Sequence, residues 1–532
     1  MNQNTRRILF FAAVLILMSL SLPVNINTYD EGIPVYGAQR VLNGDIPYLD
    51  FWTIYPPAMF YFLAGVFKLF GTEILAERAA IMLVNFSTLL IFFNLIKRIA
   101  GEKHAWLPVA AGAVLFAHYN LFGRSMSVAI LLVALSAYFL FNYFTDKNKK
   151  WLFFAGLMIG VCVFFRHDSA AYIYGTEFWA VFFSGMAFSR QAKKSRKALE
   201  GLQNAIFVFT TAVITVVIPV FVFMMFHIPL SDIYSQLLEF PLGDFREYRS
   251  LPFPNPIAPV FDNEGPANLA ANVWAGSVFY LPLLIYISTV IFIIYRVKKK
   301  YYNTTDLLFW KEITIFNIGI NLFNHAMVRS EVEHALPAVL FSLILIPVIF
   351  YITRKKSASV SLLAFLILFV MSIPGIKILR DNYKYYITDR TEWFALERAA
   401  GIKADKEFSL NYQEAISRLK SLTEPGEYVF IGNNRHDIIE TNDVMAYFLA
   451  DRPAGTKYHE LHPGVATEAG VQQEIIADLE RNNVRVIMMV EHEFDVSKDY
   501  PRGDILLDYY LRENFTLKEK IGRYGIYTRK DF

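Results

Sequence analysis

The sequence predicts a polytopic α-helical membrane protein of about eleven transmembrane helices, followed by a soluble α/β domain. Of the 532 residues, 55% are hydrophobic and only 19% are charged. The hydrophobic residues form many runs of about 17–25 residues, the length that crosses a bilayer as a helix. After Pro374 charged residues become dense and the apolar ones periodic. The predicted domains are therefore residues 1–374 and 375–532.

Short basic connections between the predicted spans assign the two sides of the membrane. Lys and Arg cluster at alternate connections, for example at residues 147–150 and 296–300. By the positive-inside rule these connections and the N-terminus are cytoplasmic, and the C-terminal domain is extracytoplasmic. The spans are predicted at residues 8–24, 76–96, 105–119, 125–144, 151–165, 170–188, 204–226, 274–295, 307–323, 334–352 and 358–374.

The first connection, residues 25–75, is predicted to contain helices that lie along the membrane surface. Pro56 and Pro57 precede an apolar segment at 58–70, and proline is tolerated in the first turn of a helix. That segment is too short for a comfortable crossing, and aromatic residues such as the nearby Trp52 favour the interface. We therefore expect this helix to cover a cavity.

The C-terminal part has the pattern of strands that alternate with helices, which indicates a small α/β layer. Strands are expected at residues 426–432, 484–490 and 525–529, and helices at 443–449, 471–481 and 504–511. A polar run at 433–464 follows the first strand, and ligand sites of α/β sheets tend to lie on such loops. This run is expected either to recognise an acceptor glycan or protein, or to dock onto the membrane domain.

Composition and motifs argue against several classes of protein. The net charge of +3 is too small to suggest nucleic-acid binding, and the single cysteine, Cys162, excludes an intramolecular disulfide. The glycine motifs that bind ATP or dinucleotides do not occur, so ATP-driven chemistry is not expected. Residues 459–462 and 491–493 contain His and Glu that are conceivable metal ligands, but such clusters in a soluble domain are usually solvated loops.

Asp30 and Glu31 are adjacent carboxylates just beyond the first apolar run. A charged residue inside the bilayer costs about 2.5–3.5 kcal/mol on insertion scales, so a pair at the boundary needs solvation or a catalytic reason. The pair opens an ordered set of segments at residues 29–32, 38–44, 47–51, 55–57 and 67–71. This set resembles the first extracytoplasmic loop of GT-C glycosyltransferases, especially the bacterial branch (glycosyltransferase family 39-like) related to protein O-mannosyltransferases and lipid A aminoarabinose transferases.

The resemblance implies a GT-C enzyme of the bacterial cell envelope, in the cytoplasmic (inner) membrane. Such an enzyme takes a hexosyl or pentosyl group from a polyprenyl-phosphate donor and transfers it, with inversion, to an extracytoplasmic glycan, lipid or protein. In the family the Asp of the pair is catalytic, so Asp30 is the expected general base. Glu31 would orient it, bind acceptor or help hold a cation. Without the resemblance, two solvated acids at a helix end would be the preferred interpretation.

Two further polar groups are expected on the same outward side. Asp168 is a candidate for acceptor or metal binding and Arg166 for donor-phosphate binding, although the two residues also suit a charged helix cap in which they pair. Farther along, Arg329 lies with His325 and His334 before a span. Arg grips phosphate oxygens through two parallel hydrogen bonds, so Arg329 is the preferred contact for the leaving polyprenyl phosphate. An ordinary solvated loop is the alternative.

A divalent metal cation is left open, and no other cofactor is predicted. Hard or borderline ligands are available at Asp30, Glu31, Asp50, Asp168 and His334, without a diagnostic spacing. Asp50 is therefore a further acceptor or metal candidate.

The competing class is a transporter or flippase of a lipid-linked or soluble solute. Transporters usually have repeated halves and ionisable residues near the bilayer midplane. This sequence has its acids at the outward boundary and shows no obvious halves, which favours the enzyme. A structural scaffold would explain the hydrophobicity but not the ordered first loop.

Overall fold

A computed structural model describes residues 2–119, 121–191, 195–243, 245–246, 250–255, 266–300, 306–351, 368, 373, 376, 379–438, 440–462, 464–492 and 503–530. Up to residue 351 the described chain is almost entirely helical. Its α-helices are α1 Gln3–Ser19, α2 Gly32–Leu42, α3 Ala58–Phe70, α4 Ile74–Ala100, α5 Trp106–Tyr119, α6 Ser125–Asp146, α7 Lys150–Val163, α8 His167–Gln191, α9 Ser195–His227, α10 Leu230–Tyr234, α11 Phe240–Leu242, α12 Pro266–Lys298, α13 Leu307–Leu322, α14 Asn324–Val328 and α15 Val332–Tyr351. A π-helical turn, Ser235–Glu239, joins α10 to α11, and a 3-10 turn, Glu102–His104, precedes α5.

The predicted spans coincide with helices wherever the structure describes them. The span at 358–374 lies outside the described residues, apart from Leu368 and Ile373. By length and composition, four described helical stretches are able to cross a membrane: Ile74–Ala100, Ser125–Asp146, Leu199–His227 and Gly276–Lys298. Helices such as α3 and α7 are apolar but too short, and α8 is long enough but less apolar, so the count of eleven crossings stays a prediction.

The first connection folds into two helices, α2 and α3. Helix α3 begins directly after Pro57, as the two prolines predict, and its buried face includes Phe60. Phe60 packs edge-on against Phe51 at a ring distance of 5.4 Å, which joins the loop between the helices to α3. Both helices belong to the same continuous core as the bundle.

The C-terminal part confirms the predicted α/β layer. Its sheet has the order β3-β4-β6-β5, in which β3 and β4 are parallel and the remaining pairs are antiparallel. The elements are β1 Thr391–Trp393, the 3-10 turn Glu397–Ala399, β2 Lys403–Asp405, α16 Lys406–Ser421, β3 Val429–Asn433, α17 Met445–Ala450, α18 Ala469–Arg481, β4 Val486–Val490, α19 Leu506–Asn514, β5 Phe515–Ile521 and β6 Tyr524–Arg529. The predicted strands and helices agree with β3, β4, β6, α17, α18 and α19 within a few residues.

The elements of the C-terminal part that were not predicted are β1, the 3-10 turn Glu397–Ala399, β2, α16 and the edge strand β5. Strand β5 exposes the five residues between Phe515 and Ile521, so its charged sequence gives little hydrophobic signal. An edge strand needs fewer apolar residues because only one side of it pairs with a neighbour.

The C-terminal part docks onto the first loop through α2. Tyr36 of α2 stacks on Tyr447 of α17 at 5.0 Å between ring centres, and its hydroxyl accepts a 2.7 Å hydrogen bond from the Ala454 amide. The Gln39 side chain donates to Asp451 at 2.7 Å. The contacts of Tyr36 are buried, so the two parts pack against each other.

The polar run at 433–464 supplies part of this docking surface. Arg40 lies 3.2 Å from the Nδ1 atom of the buried His459, and the Trp52 amide donates to the Lys457 carbonyl at 3.1 Å. The ring of His462 packs 5.3 Å from that of Trp52. Residues 459–462 therefore lie against the membrane part and not in a solvated loop.

Replacement of Gly32 by Ala is expected to loosen this docking. A Cβ atom at Gly32 would lie 2.5 Å from the backbone nitrogen of Met445, an atom that no side-chain rotation can move. Overpacking of this kind lowers the free energy of unfolding by about 1–3 kcal/mol. Thermal unfolding of the purified chain, with limited proteolysis of its C-terminal part, measures the effect.

Gly65→Ala is the matched control, because no atom lies within 4 Å of a Cβ added there in α3. This variant is expected to be as stable as the parent or slightly more stable. Equal stability of the two variants would show that α2 and α17 are not in close contact.

A pH dependence follows from Asp443, which caps α17. Its carboxylate accepts from the Tyr412 hydroxyl at 2.7 Å and from the Ala446 amide at 3.0 Å, and burial raises its pKa from 3.8 to about 7. The folded protein therefore binds a proton that the unfolded chain has released between these pH values. The free energy of unfolding should fall as the pH rises from 3.8 to about 7.

Asp443→Asn should reduce this slope in chemical denaturation measured across that pH range. Asp405→Asn is the control, because Asp405 also caps a helix, α16, but is exposed. An unchanged slope in Asp443→Asn would mean that this carboxyl does not titrate as burial requires.

Candidate active site

The turn before α2 separates the two adjacent carboxylates. The Asn27 side chain accepts from the amides of Tyr29 and Asp30 at 3.1 and 2.8 Å, which fixes a tight turn at the end of the first apolar segment. Asp30 then points to the surface with its side chain 37% exposed, whereas the side chain of Glu31 is 3% exposed. The pair therefore has two different environments.

Glu31 is held by a buried arginine. Arg78, near the start of α4, donates Nε and Nη2 to the two carboxylate oxygens at 2.6 and 2.8 Å. The same guanidinium donates to the carbonyls of Leu22, Val24 and Asn25 at 2.7, 3.1 and 2.6 Å. A single side chain thus ties Glu31 to the end of the first apolar segment.

The residue before Arg78 positions a second turn. Glu77 is fully buried and accepts a 2.5 Å hydrogen bond from the Gly123 amide. Gly123 has a φ of 69°, and a Cβ there would lie 2.7 Å from the Pro34 side chain and 3.1 Å from Cα of Glu31. Only glycine fits this approach without strain. The next residue, Arg124, is therefore placed beside the carboxylate pair.

Arg124 links Asp30 to the first turn of α15. Its Nη2 atom lies 3.0 Å from Asp30 Oδ2, and its Nη1 atom forms an ion pair with Glu333. Asp30 thus has one guanidinium partner and remains accessible from solvent.

Arg166 and Asp168 pair with each other at the start of α8. Arg166 donates to the two carboxylate oxygens at 3.0 and 2.5 Å. His325 joins them, with Nδ1 3.3 Å from Asp168 and Nε2 3.0 Å from the Ser169 hydroxyl. Burial lowers the pKa of His325 to about 4, although Asp168 opposes the shift, so the imidazole is neutral at pH 7.

Arg329, Glu331 and His334 lie at the same boundary. Arg329 forms an ion pair with Glu331, whose pKa Arg329 lowers although burial acts in the opposite direction. Arg329 is also within electrostatic range of Asp30 and Tyr55, and Tyr55 acts on Arg166 as well. Tyr55 is therefore close to both Arg329 and Arg166.

Asp50 does not belong to this group. Its carboxylate accepts from the Ile46 amide at 2.7 Å and its carbonyl accepts from Arg40 at 2.9 Å, so it closes its own loop. Among the described residues, no hydrogen bond or ion pair joins Asp50 to Asp30, Asp168 or Arg329.

The described side chains do not form a ready site for a divalent metal. In the described part of the chain, no three His, Cys, Asp or Glu side chains lie close enough together to hold an ion. Asp30 and Asp168 each face a guanidinium, which competes with a cation for the same oxygens. We assign no chemical step to a metal. Glu493, the last member of the 491–493 cluster, lies outside the described residues.

Sequence reasoning missed the residues that position the carboxylate pair, Asp30 and Glu31. Glu77 and Arg78 look like ordinary charges at the start of a predicted span. The one sequence feature that could have revealed them is that two charged residues are adjacent at the point where an apolar helix begins. Arg124 and Glu333 were visible only as members of polar connections. Their significance depends on contacts between segments that are far apart in the chain.

The described residues also line an apolar cavity of about 540 Å³. Its lining residues come from the first loop, the end of α7 and α9: Ile46, Pro47, Tyr48, Pro57, Ala58, Tyr61, Phe62, Val161, Phe164, Val216, Val220, Phe223, Met224, His227 and Ile228. The Ala58 amide donates to the Phe164 carbonyl at 3.0 Å, which joins two of its walls. Tyr55 and Arg166 each lie two residues in sequence from a lining residue, Pro57 and Phe164 respectively.

Comparison with known proteins confirms the GT-C resemblance. A family model described as dolichyl-phosphate-mannose-protein mannosyltransferase matches residues 55–218. The crystal structure of ArnT from Cupriavidus metallidurans, bound to undecaprenyl phosphate, matches with a TM-score of 0.58 at 11% identity, over 99% of this chain and 98% of that one. No curated protein matches this chain by sequence.

An archaeal enzyme shares the same fold. The Archaeoglobus fulgidus oligosaccharyltransferase, tethered to an acceptor peptide, matches with a TM-score of 0.51 at 12% identity, over 90% of this chain and 69% of that one. In its apo form the TM-score is 0.50 at the same identity and coverage. The chain therefore has the GT-C membrane fold.

Loss of Arg78 is expected to destabilise the protein strongly. Arg78→Met leaves Glu31 buried without its counter-charge, and breaking a buried pair in this way costs about 3–5 kcal/mol of the free energy of unfolding. Thermal or chemical unfolding in detergent measures the loss.

Arg418→Met is the control, because the pair of Arg418 with Glu519 is exposed. Exposed pairs contribute about 0–1 kcal/mol. The double variant Glu31→Gln/Arg78→Met should recover part of the lost stability, since it removes the buried charge. Similar unfolding of Arg78→Met and Arg418→Met would contradict a structural role of the buried pair.

Proposed function

We propose that this chain is a membrane glycosyltransferase that uses a polyprenyl-phosphate-linked sugar, with Asp30 as the general base. The observation that supports this most is the proximity of the accessible Asp30 to Arg329, together with an apolar cavity whose lining residue Phe164 lies two residues before Arg166 in the chain. Asp30 can act as the base, the arginines can bind the phosphate, and the apolar cavity can hold the hydrocarbon chain of the donor. The GT-C fold and the partial family match agree with it.

The apolar cavity suits the hydrocarbon chain of the donor. Its lining is almost entirely aliphatic and aromatic, and it lies among elements that include α9, one of the long apolar helices. The related ArnT structure contains undecaprenyl phosphate, a lipid of this class. We infer that the polyprenyl chain enters here and that its phosphate reaches the arginines.

Arg166 and Arg329 are suited to the leaving phosphate. The contacts of Arg166 with Asp168 and His325 use Nε and Nη2, so Nη1 has no hydrogen-bond partner within the described residues. Arg166 can therefore donate from Nη1 to a phosphate oxygen while it keeps its carboxylate. Neutral His325 and His334 would donate or accept hydrogen bonds next to this group.

The chemistry that follows is a single displacement with inversion. Asp30 removes the proton from the acceptor hydroxyl as its oxygen forms a bond to the anomeric carbon. The bond between that carbon and the phosphate oxygen breaks, and the electron pair leaves with the polyprenyl phosphate. The guanidinium groups of Arg166 and Arg329 stabilise the negative charge that develops there.

Glu31 acts as a positioning residue in this proposal. Its pair with Arg78 is buried, so it fixes the backbone from which Asp30 reaches the acceptor. Asp168 orients Arg166 and His325, and Asp50 has no direct part. The acceptor is an extracytoplasmic glycan, lipid or protein of the bacterial envelope, and the C-terminal part would form the outer side of its entrance.

Asp30→Asn should abolish most of the transfer activity. General-base catalysis contributes about 10²–10⁴-fold, and the amide cannot accept the acceptor proton. The measurement is sugar transfer from a radiolabelled polyprenyl-phosphate sugar in membranes that contain equal amounts of the two proteins. Donor binding should change little, since the arginines remain.

Asp45→Asn is the control in the same loop, because Asp45 pairs with Arg40 and not with the partners of Asp30. It should keep activity near that of the parent. Full transfer by Asp30→Asn would remove Asp30 as the base. Solute uptake by purified protein in vesicles, without any sugar transfer, would instead favour the transporter.

A further inference from the structure

Two cationic side chains, Arg98 of α4 and Lys311 of α13, lie on one face of α6. Arg98 donates to the Asn142 side chain, and its guanidinium carbon lies 4.3 Å from the centre of the Tyr138 ring. The Lys311 ammonium lies 5.6 Å from the centre of the Phe141 ring. Positions three and four apart on a helix share a face. The three helices thus bring both cations to a single patch.

No carboxylate neutralises this patch among the described residues. The recorded contacts of Arg98 and Lys311 are with an amide and with aromatic rings, and the two like charges act on each other. Both side chains are only half-exposed. Partly buried like charges repel unless a counter-charge is present.

Some of the neighbouring cations have carboxylate partners within the chain. Arg296 pairs at 3.0 Å with the buried Glu312, which directly follows Lys311 in sequence. Arg7 and Lys97 share Glu102. The chain therefore provides acids for Arg296, Arg7 and Lys97, whereas no acid pairs with Arg98 or Lys311 among the described residues, which points to an external anion.

The position of the patch indicates which anion is available. Arg124 precedes α6 and belongs to the candidate active site, whereas Asn142 is near the other end of the helix. At 1.5 Å per residue the two positions are about 27 Å apart along the helix axis. This is close to the hydrocarbon thickness of about 30 Å, and α6 is one of the long apolar helices. The patch is then level with the lipid phosphates of the opposite leaflet.

We propose that Arg98 and Lys311 bind the phosphate of an anionic phospholipid headgroup. Arg98 offers a fork of donors to two phosphate oxygens and Lys311 adds a point charge. Tyr138 and Phe141 supply the apolar floor for the adjoining glycerol. Inorganic phosphate has the same chemistry, but a lipid also brings its chains to the apolar sides of α4 and α6. The inference does not depend on the sugar-transfer reaction.

The test measures lipid binding by the full-length chain in detergent. Native mass spectrometry follows titration with phosphatidylglycerol and, separately, with phosphatidylcholine. The parent protein should bind phosphatidylglycerol about tenfold more tightly, and the double variant Arg98→Gln/Lys311→Gln should lose this preference. The control variant Lys103→Gln/Lys299→Gln changes the net charge equally at two exposed positions and should keep it.

A competition arm separates the two sources of phosphate. Inorganic phosphate at about 1 mM should leave bound phosphatidylglycerol in place, because it lacks the chains that a lipid packs on the helices. Displacement at that concentration would overturn the lipid assignment. Equal binding of the two lipids by the parent protein, or an undiminished preference in the double variant, would overturn the site itself.

A folding control keeps the result interpretable. If the double variant does not accumulate, the single variants Arg98→Gln and Lys311→Gln are measured, and each should weaken the preference by about threefold. Thermal unfolding without added lipid verifies that each variant is folded. A folded single variant with the parent's preference would count against the residue concerned.

Discussion

The buried ion pair of Glu31 and Arg78 determines where the candidate active site can form. Removal of both charges from water is costly, so the pair is stable only because Arg78 also satisfies three backbone carbonyls at the end of the first apolar segment. That geometry fixes the turn from Asn27 to Glu31, which contains Asp30. Asp30 is held at the surface because its neighbour is held in the interior.

The same end of α4 positions the opposite wall of the site. Glu77 binds the Gly123 amide, and Gly123 approaches Glu31 so closely that no side chain fits there. Arg124 consequently meets Asp30, and through Glu333 it reaches the segment that contains Arg329. Two adjacent residues of one helix thus bring together three connections that are distant in sequence. A rigid frame of this kind suits a reaction that needs base and phosphate contacts in fixed positions.

The C-terminal part completes the frame from the other side of α2. Tyr36, Gln39 and Arg40 all point into it, and their partners include Tyr447, Asp451 and His459. The polar run at 433–464 is therefore largely a docking surface in this structure. This arrangement also explains why His459 and Glu460 are buried although their sequence is polar.

The sequence alone determined the helical membrane class, the approximate positions of most of the long helices, most of the α/β layer, and the pairing of Arg166 with Asp168 as one of two readings. These features depend on local hydrophobic periodicity, on helix and turn propensities, and on neighbours in the chain. Only the tertiary structure decided that Glu31 is buried, that Asp50 lies apart, and that Arg124 is the partner of Asp30. The reason is physical: burial and ion pairing of a charge depend on which distant segments surround it, and no local pattern of residues contains that information.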